Sequence, residues 1–256
     1  LDRRFPYEPN LYAVNDFFIK PHTSARRVSY AELLNPSGKL IDFFISHHWG
    51  EDFGEFVQSL LRHAKENDFV YWCCAFANNQ HDVSLGQRLE ESPFHIALSS
   101  PGCQGTVLNL NRNASALFRV WCVYEAFLTH TLPNKTFCVN TCQGPMSESG
   151  ASGHSEEGDI WISFMFGLLQ EVDVASAKAT EDSDKVKIME AVQTFKDGDK
   201  VGAEALNAKL KKAVARQAIT ILARQGESDL LQRALDLGVQ ADEADSRGIR
   251  SLTYAV

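Results

Sequence analysis

Glu125 is the residue whose type and position most directly suggest chemistry. The apolar residues around it recur with helical spacing and share one face of the predicted helix: Leu117, Val120, Trp121, Tyr124 and Leu128. At about 100° per residue, Glu125 lies on the border of that face, where a carboxyl group is partly desolvated and its pKa is raised. Such a group is typical of functional sites. The alternative reading, a solvated edge of an amphipathic helix, is equally open.

A second group of candidates follows two apolar runs that we predict to be buried parallel strands. Residues 40–46 precede one part of the group, and residues 69–76 precede the other. Ligands of an open parallel sheet bind beyond the carboxyl ends of its strands, where the strand order reverses. The candidate substrate-binding residues are Ser46, His47, His48, Trp49, Asn78 and Gln80, together with Trp121, for which core packing is favoured over ligand stacking.

We predict no metal site from the histidines and cysteines. Adjacent residues of an extended segment point to opposite faces, so His47 and His48 are not expected to bind one ion. The six cysteines fit no standard metal spacing, and buried thiols usually act as small apolar groups. They are Cys73, Cys74, Cys103, Cys122, Cys138 and Cys142. A Cys–His nucleophilic dyad stays open, although nothing in the sequence places a base beside a thiol.

Alternating strands and helices are predicted to position these residues. The predicted strands are 40–46, 69–76, 106–110, 136–140 and a weaker one at 172–174. The predicted helices are 53–64, 85–98, 115–129 and 160–168. This alternation favours an α/β, flavodoxin-like fold, with a mostly parallel sheet and helices on both faces. Residues 143–158, rich in Gly, Ser and Glu, are predicted to form a mobile surface loop.

Composition excludes several classes of function. With 33 acidic and 25 basic residues, the net charge of -8 argues against nonspecific nucleic-acid binding. The most apolar run, 160–169, is about half as long as a bilayer crossing requires, so no membrane span is predicted. No Gly-x-x-x-x-Gly-Lys-Ser/Thr motif occurs. The cysteines lie mostly in apolar runs, which favours a reducing, cytoplasmic setting. Because the chain begins at Leu1, we interpret it as a piece of a longer protein.

Three segments, in order, resemble the Toll/interleukin-1 receptor (TIR) domain, particularly its plant form. Residues 42–46 and the following Gly50-Glu51-Asp52 are similar to that family's first strand and Gly-Glu-Asp loop. Residues 97–110 resemble its third-strand region, and Trp121-Cys122-Val123-Tyr124-Glu125 matches its Trp-Cys-x-x-Glu helix. The resemblance covers residues 40 to about 142. The chain departs from the family at Trp49, where arginine is frequent, and at residues 78–82.

This resemblance implies cleavage of the ribose–nicotinamide bond of NAD, with Glu125 as the catalytic carboxylate. The products would be nicotinamide and an ADP-ribose species, and NAD would be a substrate rather than a cofactor. Bond cleavage develops oxocarbenium charge that a carboxylate can stabilise, and nicotinamide leaves without needing a proton. The alternative is a non-catalytic scaffold for signalling that acts by self-association of TIR-like domains.

The C-terminal residues 222–248 resemble one ankyrin repeat, and residues 250–255 match the start of the next only in part. We therefore expect a lead-in at 1–39, a TIR-like α/β domain at 40–178, a helical connector at 179–217 and ankyrin-like helices at 218–256. The last segment would bind a protein partner. Since one repeat cannot bury its own face, Leu252 and Tyr254 are expected to lack their natural neighbour.

Overall fold

A five-stranded sheet in the order β2-β1-β3-β4-β5 forms the centre of the computed structural model, which describes residues 8–148, 163–242 and 250. The strands are β1 Phe43–Ser46, β2 Tyr71–Trp72, β3 Gly105–Leu110, β4 Thr136–Thr141 and β5 Gly144–Pro145. β1 pairs in parallel with β2 and β3, β3 pairs in parallel with β4, and only the short β5 runs antiparallel. The predicted α/β class is confirmed, and the first four strands follow the flavodoxin-like order.

Helices fill the connections and continue beyond the sheet. The N-terminal segment forms α1, from Leu11–Val14 through a π-helical turn at Asn15–Ile19 to Lys20–Thr23, and α2 at Tyr30–Leu34. Next come α3 Phe53–Ala64, α4 Cys74–Ala77, α5 Pro93–Ser99 and α6 Val120–Thr131. After the sheet come α7 (163–168), α8 Asp182–Val192, the hairpin β6 Lys196–Asp197 and β7 Lys200–Val201, α9 Gly202–Gln225 and α10 Ser228–Asp236.

Alternation along the strands distributes apolar side chains to both faces of the sheet. Ile45 and Val107 face one side, where they pack with Phe56 of α3. Phe44 and Leu108 face the other side, where α6 and α9 supply the packing. The prediction of helices on both faces is therefore confirmed.

The first two strands are shorter than predicted. Residues 40–42 lie outside β1, and Leu40 is 82% exposed. The Asp42 side chain accepts a hydrogen bond from the Val70 amide at 2.7 Å. β2 stops at Trp72, and residues 74–77 form α4, with the Ala77 amide bonded to the Cys73 carbonyl at 2.8 Å. A short apolar run does not distinguish a buried strand from a buried helical turn.

Two predicted helices are also interrupted. α5 begins only at Pro93, where Ser92 caps it by accepting a hydrogen bond from the His95 amide at 3.2 Å. A separate 3₁₀ turn, Leu89–Glu91, precedes it. Residues 115–118 likewise form a 3₁₀ turn, and Arg119 adopts an extended backbone before α6 begins. At α5, the proline and the Ser92 cap determine where the helix begins, and the apolar spacing alone does not reveal that position.

The predicted strand at 172–174 is wrong, since residues 172 and 173 join the 3₁₀ turn Leu169–Glu171 to a second one, Val174–Ser176. The prediction of a mobile loop is wrong at its start, where the chain forms β5 and the 3₁₀ turn Met146–Glu148. A tight turn precedes them, and a 3.1 Å hydrogen bond from the Thr141 hydroxyl to the Gly144 carbonyl closes it. Met146 is fully buried. Residues 149–158, and 160–162 of the predicted helix, lie outside the described residues.

The long helix α9 belongs to the same body as the sheet. It runs without a break across positions 217 and 218. The Gln217 side chain makes two hydrogen bonds to the backbone of β4: it accepts one from the Val139 amide at 2.7 Å and donates one to the Phe137 carbonyl at 3.0 Å. Gly226, with φ of 68°, ends α9 before α10. The ankyrin-like assignment stays a prediction, and Leu252 and Tyr254 lie outside the described residues. Within the described ranges, no helix is long and apolar enough to cross a bilayer.

Candidate functional site

A cleft of about 220 Å³ opens at the carboxyl ends of β1 and β2, above the N-terminal half of α6. β1 has β2 on one side and β3 on the other, so this is the point where the strand order reverses and where open α/β sheets bind ligands. Its walls come from six parts of the chain: Tyr12, His47, His48, Trp49, Cys74, Phe94, Arg119, Trp121, Cys122, Glu125 and Thr180.

Glu125 lies in this cleft as a buried carboxyl group. Only 4% of the residue is exposed, and its Oε2 has no hydrogen-bond partner within the described part of the chain. Burial raises the pKa of Glu125 to about 8, while the Ser46 hydroxyl, the charge of His47 and the Cys122 thiol oppose that rise. The expected rise in the pKa of Glu125 is therefore found, but the residue is buried against Ser46, His47 and Cys122 rather than lying at a border of the apolar face.

A chain of buried polar groups supports His47 from behind the cleft. The Nδ1 atom of His47 lies 3.5 Å from Oε1 of Glu51, and Asn109 donates a hydrogen bond to Oε2 of the same carboxyl group at 3.0 Å. Burial raises the pKa of Glu51, against the opposing effect of His47. Asn140 in turn donates to Asn109 at 3.4 Å. Within the described residues neither His47 Nδ1 nor Glu51 Oε1 makes a hydrogen bond, so the carboxyl group lies beside the imidazole as a neighbouring charge.

The other edge of His47 meets two thiols. Its Nε2 atom lies 3.5 Å from the sulfur of Cys73 and 3.5 Å from that of Cys74. The indole N–H of Trp49 donates to the Cys74 sulfur at 3.1 Å. Although burial lowers the pKa of His47, the two cysteine sulfurs outweigh it, so the pKa is raised well above its ordinary value. The structure thus places a base beside a thiol, which the sequence alone left open.

A cationic region lies in the same cleft. The Arg119 guanidinium donates to the Thr180 hydroxyl at 3.2 Å and has no carboxylate partner among the described residues. His48 is half-buried, and its pKa is lowered by burial and then by the charge of Arg119. An arginine without a carboxylate partner, beside a hydroxyl, is suited to bind a phosphate group.

Aromatic rings form two walls. Tyr12 and Trp49 lie with ring centroids 5.4 Å apart, and Phe94 stacks on Trp121 at 4.6 Å. The Trp121 indole N–H donates to Asp184 on α8 at 3.1 Å, which fixes the ring at the rim of the cleft. Walls of this kind suit a flat heteroaromatic group.

Five of the eight residues proposed from the sequence line the cleft together: His47, His48, Trp49, Trp121 and Glu125. Ser46 lies beneath them against Glu125. Asn78 and Gln80 are not among the lining residues, since α4 carries the chain away from the end of β2. The Gln80 amide instead donates to the Cys74 and Ala75 carbonyls at 3.0 Å, which stabilises that turn.

Sequence reasoning missed the contributions of Tyr12, Phe94, Arg119 and Thr180, which come from segments far apart in the chain. Tyr12 reaches the cleft because the Leu11 amide bonds to the Trp49 carbonyl at 3.0 Å and so pins α1 across the loop after β1. No local pattern signals that contact. Cys74 and Cys122 line the cleft beside the predicted site residues. The sequence analysis did not include them among the candidates because buried thiols usually act as small apolar groups.

A second, larger groove of about 380 Å³ lies between α7, α9 and α10. Its described lining is Phe166, Leu169, Gln170, Lys211, Arg233, Asp236 and Leu237. The lining contains no histidine or cysteine and no buried unpartnered carboxyl group. The smaller cleft therefore remains the candidate site on chemical grounds.

Among the described residues, no group of three or more His, Cys, Asp or Glu side chains has the arrangement of a metal site. A scan against protein-family models, and searches of curated proteins and of solved structures, found no match to the chain.

Proposed function

We propose that this chain is a TIR-like NAD glycohydrolase, in which Glu125 is the catalytic carboxylate. The observation that carries the proposal is the buried Glu125 carboxyl group in a cleft at the point where the strand order reverses, with one oxygen that has no hydrogen-bond partner among the described residues. A buried carboxyl group without a partner is costly for folding, and functional sites are where such groups concentrate.

The reaction requires a carboxylate close to C1′ of the nicotinamide ribose. The C1′–N bond breaks and its electron pair leaves with the ring nitrogen, giving neutral nicotinamide. Ionised Glu125 stabilises the oxocarbenium ion that remains. Water then adds to C1′ and gives its proton to Glu125, which releases it to solvent, so that NAD and water yield nicotinamide, ADP-ribose and a proton.

The charges in the cleft support this substrate. Burial raises the pKa of Glu125 to about 8, and the positively charged nicotinamide ring of NAD would favour the ionised form of this carboxyl group. Arg119 and Thr180 offer a guanidinium and a hydroxyl to the diphosphate. The aromatic walls at Trp49 and Trp121 offer faces for the nicotinamide ring.

The test is release of nicotinamide from NAD by the purified chain, measured over a range of protein concentrations. Glu125→Gln keeps the shape and removes the charge, so turnover should fall by about three orders of magnitude, since a preorganised electrostatic group contributes roughly 10²–10³ or more. The matched control is Glu190→Gln on the exposed face of α8, which should leave turnover unchanged.

The second candidate function is a scaffold that self-associates. Exposed apolar residues one turn apart on α3 favour it: Val57 is 37% exposed and Leu61 is 62% exposed. If this face joins two copies, Leu61→Glu should yield a monomer by light scattering at concentrations where the parent chain is a dimer or larger. The scaffold alone is favoured if the parent chain self-associates through α3 and releases no nicotinamide.

A further inference from the structure

We propose that Cys74 is a reactive thiol with His47 as its base, and that the cleft is a site of covalent modification by small uncharged electrophiles, hydrogen peroxide among them. The proposed reactivity does not depend on the NAD reaction. It follows from the contacts of one sulfur atom with the side chains of His47 and Trp49.

The geometry resembles that of an activated nucleophile. The Cys74 sulfur lies 3.5 Å from Nε2 of His47, and Nδ1 of the same ring lies 3.5 Å from Glu51. Asn109 holds that carboxyl group at 3.0 Å. Nucleophile, base and orienting carboxyl group therefore follow one another in contact, which is the arrangement that activates cysteine and serine nucleophiles.

Access from the cleft distinguishes Cys74 from the adjacent Cys73. Cys73 lies at the same 3.5 Å from His47, but it is buried and does not line the cleft. Cys74 is half-buried and lines the cleft. A small molecule that enters the cleft therefore reaches Cys74, whereas Cys73 stays covered.

His47 acts during the attack rather than before it. Burial raises the pKa of Cys74, although His47 and the Trp49 N–H act against that rise, so the sulfur carries its proton at rest. The raised pKa of His47 depends on negative charge at the two cysteine sulfurs, and this charge is absent while both thiols keep their protons. Beside neutral thiols, Nε2 accepts the Cys74 proton with the ring proton on Nδ1 facing Glu51. As the sulfur attacks, its proton passes to Nε2, and the Trp49 N–H stabilises the developing negative charge.

With hydrogen peroxide, the Cys74 sulfur attacks one oxygen, a sulfur–oxygen bond forms and the oxygen–oxygen bond breaks. The departing hydroxide takes the proton from His47 and becomes water. The thiol is oxidised to a sulfenic acid and the peroxide is reduced. Since Cys74 and Glu125 line the same cleft, the added oxygen takes space from any ligand there. That last consequence, unlike the reactivity itself, rests on the function proposed above.

The test uses the whole chain and iodoacetamide, with the rate of alkylation at each cysteine followed by peptide mass spectrometry. Cys74 should react at least about tenfold faster than Cys142, which is also half-buried but has the charged neighbours Glu55, Arg112 and Arg62 instead of an imidazole. Trp49→Phe keeps an aromatic ring, removes the N–H donor and should slow Cys74 severalfold. Circular dichroism checks that this variant is folded.

A second arm adds hydrogen peroxide with dimedone, which traps sulfenic acids, and a dimedone adduct is expected at Cys74. The proposal is overturned if Cys142 reacts as fast as Cys74 or if Trp49→Phe does not slow Cys74. Absence of a dimedone adduct at Cys74 would overturn the peroxide reaction. Because the rates are measured without NAD, failure of the NAD hydrolysis would leave these results interpretable.

Discussion

Glu125 of α6 is buried against Ser46, the last residue of β1, and burial raises the pKa of its carboxyl group to about 8 despite the opposing Ser46 hydroxyl. Helix and strand therefore meet at an ionisable group that the folded chain holds mostly protonated at neutral pH. An unfolded chain would ionise the same group near pH 4.5. This difference couples folding and ionisation at one position.

The first prediction concerns stability against pH. Between about pH 4.5 and pH 8 the folded chain holds a proton on Glu125 that the unfolded chain has lost, so this residue's contribution to stability is present at low pH and is lost as pH rises. Glu125→Gln does not titrate. Its melting temperature relative to the parent chain should therefore increase from pH 5 to pH 8, by several degrees.

Calorimetry at pH 5, 6.5 and 8 on both chains measures this difference. Glu190→Gln, whose side chain is exposed, should show no such trend. A melting-temperature difference that stays constant across this range would mean that Glu125 titrates near its ordinary pKa.

The second prediction concerns Arg119. If its guanidinium binds the diphosphate, which is not altered by the reaction, it contributes equally to substrate and transition state. Arg119→Ala should therefore raise KM for NAD by about tenfold or more and change kcat little, given the strength of charge-assisted hydrogen bonds. Steady-state kinetics on this variant and on Lys178→Ala, a nearby exposed cation outside the cleft lining, make the comparison. A fall in kcat with KM unchanged would place Arg119 at the reacting atoms instead.

The third prediction concerns the joint between α9 and the sheet. Gln217→Ala removes both side-chain hydrogen bonds to the β4 backbone and leaves the Val139 amide without that partner. The free energy of unfolding should fall by about 1–3 kcal/mol. Urea denaturation measures it, with Gln232→Ala on the exposed side of α10 as the matched control. Equal stability of the two variants would show that α9 is not an integral part of the α/β body.

Much of the sheet could be predicted from the sequence because buried parallel strands are continuous apolar runs. Residues 105–110 and 136–141 form strands within one residue of the prediction, and the parallel pairing of β1 with β2 follows from the helix-length connection between them. The strand predictions failed at residues 74–76 and 172–174 because short apolar segments have no period long enough to separate a strand from a helical turn.

The site was predictable only where it is local. His47, His48 and Trp49 follow β1 directly, so the end of the strand places them. Tyr12 and Thr180 enter from remote segments through backbone contacts that leave no pattern in the sequence. The burial of Glu125 was underestimated because a helical wheel shows the apolar face of α6 and says nothing of Ser46 and His47, which reach Glu125 from the end of β1.

The central claim is that Glu125 is the catalytic carboxylate, and the pH profile of nicotinamide release tests it most directly. Since kcat/KM reports ionisation in the free enzyme, it should rise with pH and level off with a midpoint at about 8, the value to which burial raises the pKa of Glu125. Glu125→Gln should lose about three orders of magnitude of this activity at pH 8 while Glu190→Gln keeps it. Turnover that Glu125→Gln leaves undiminished, or no nicotinamide release at any protein concentration tested, would contradict the account.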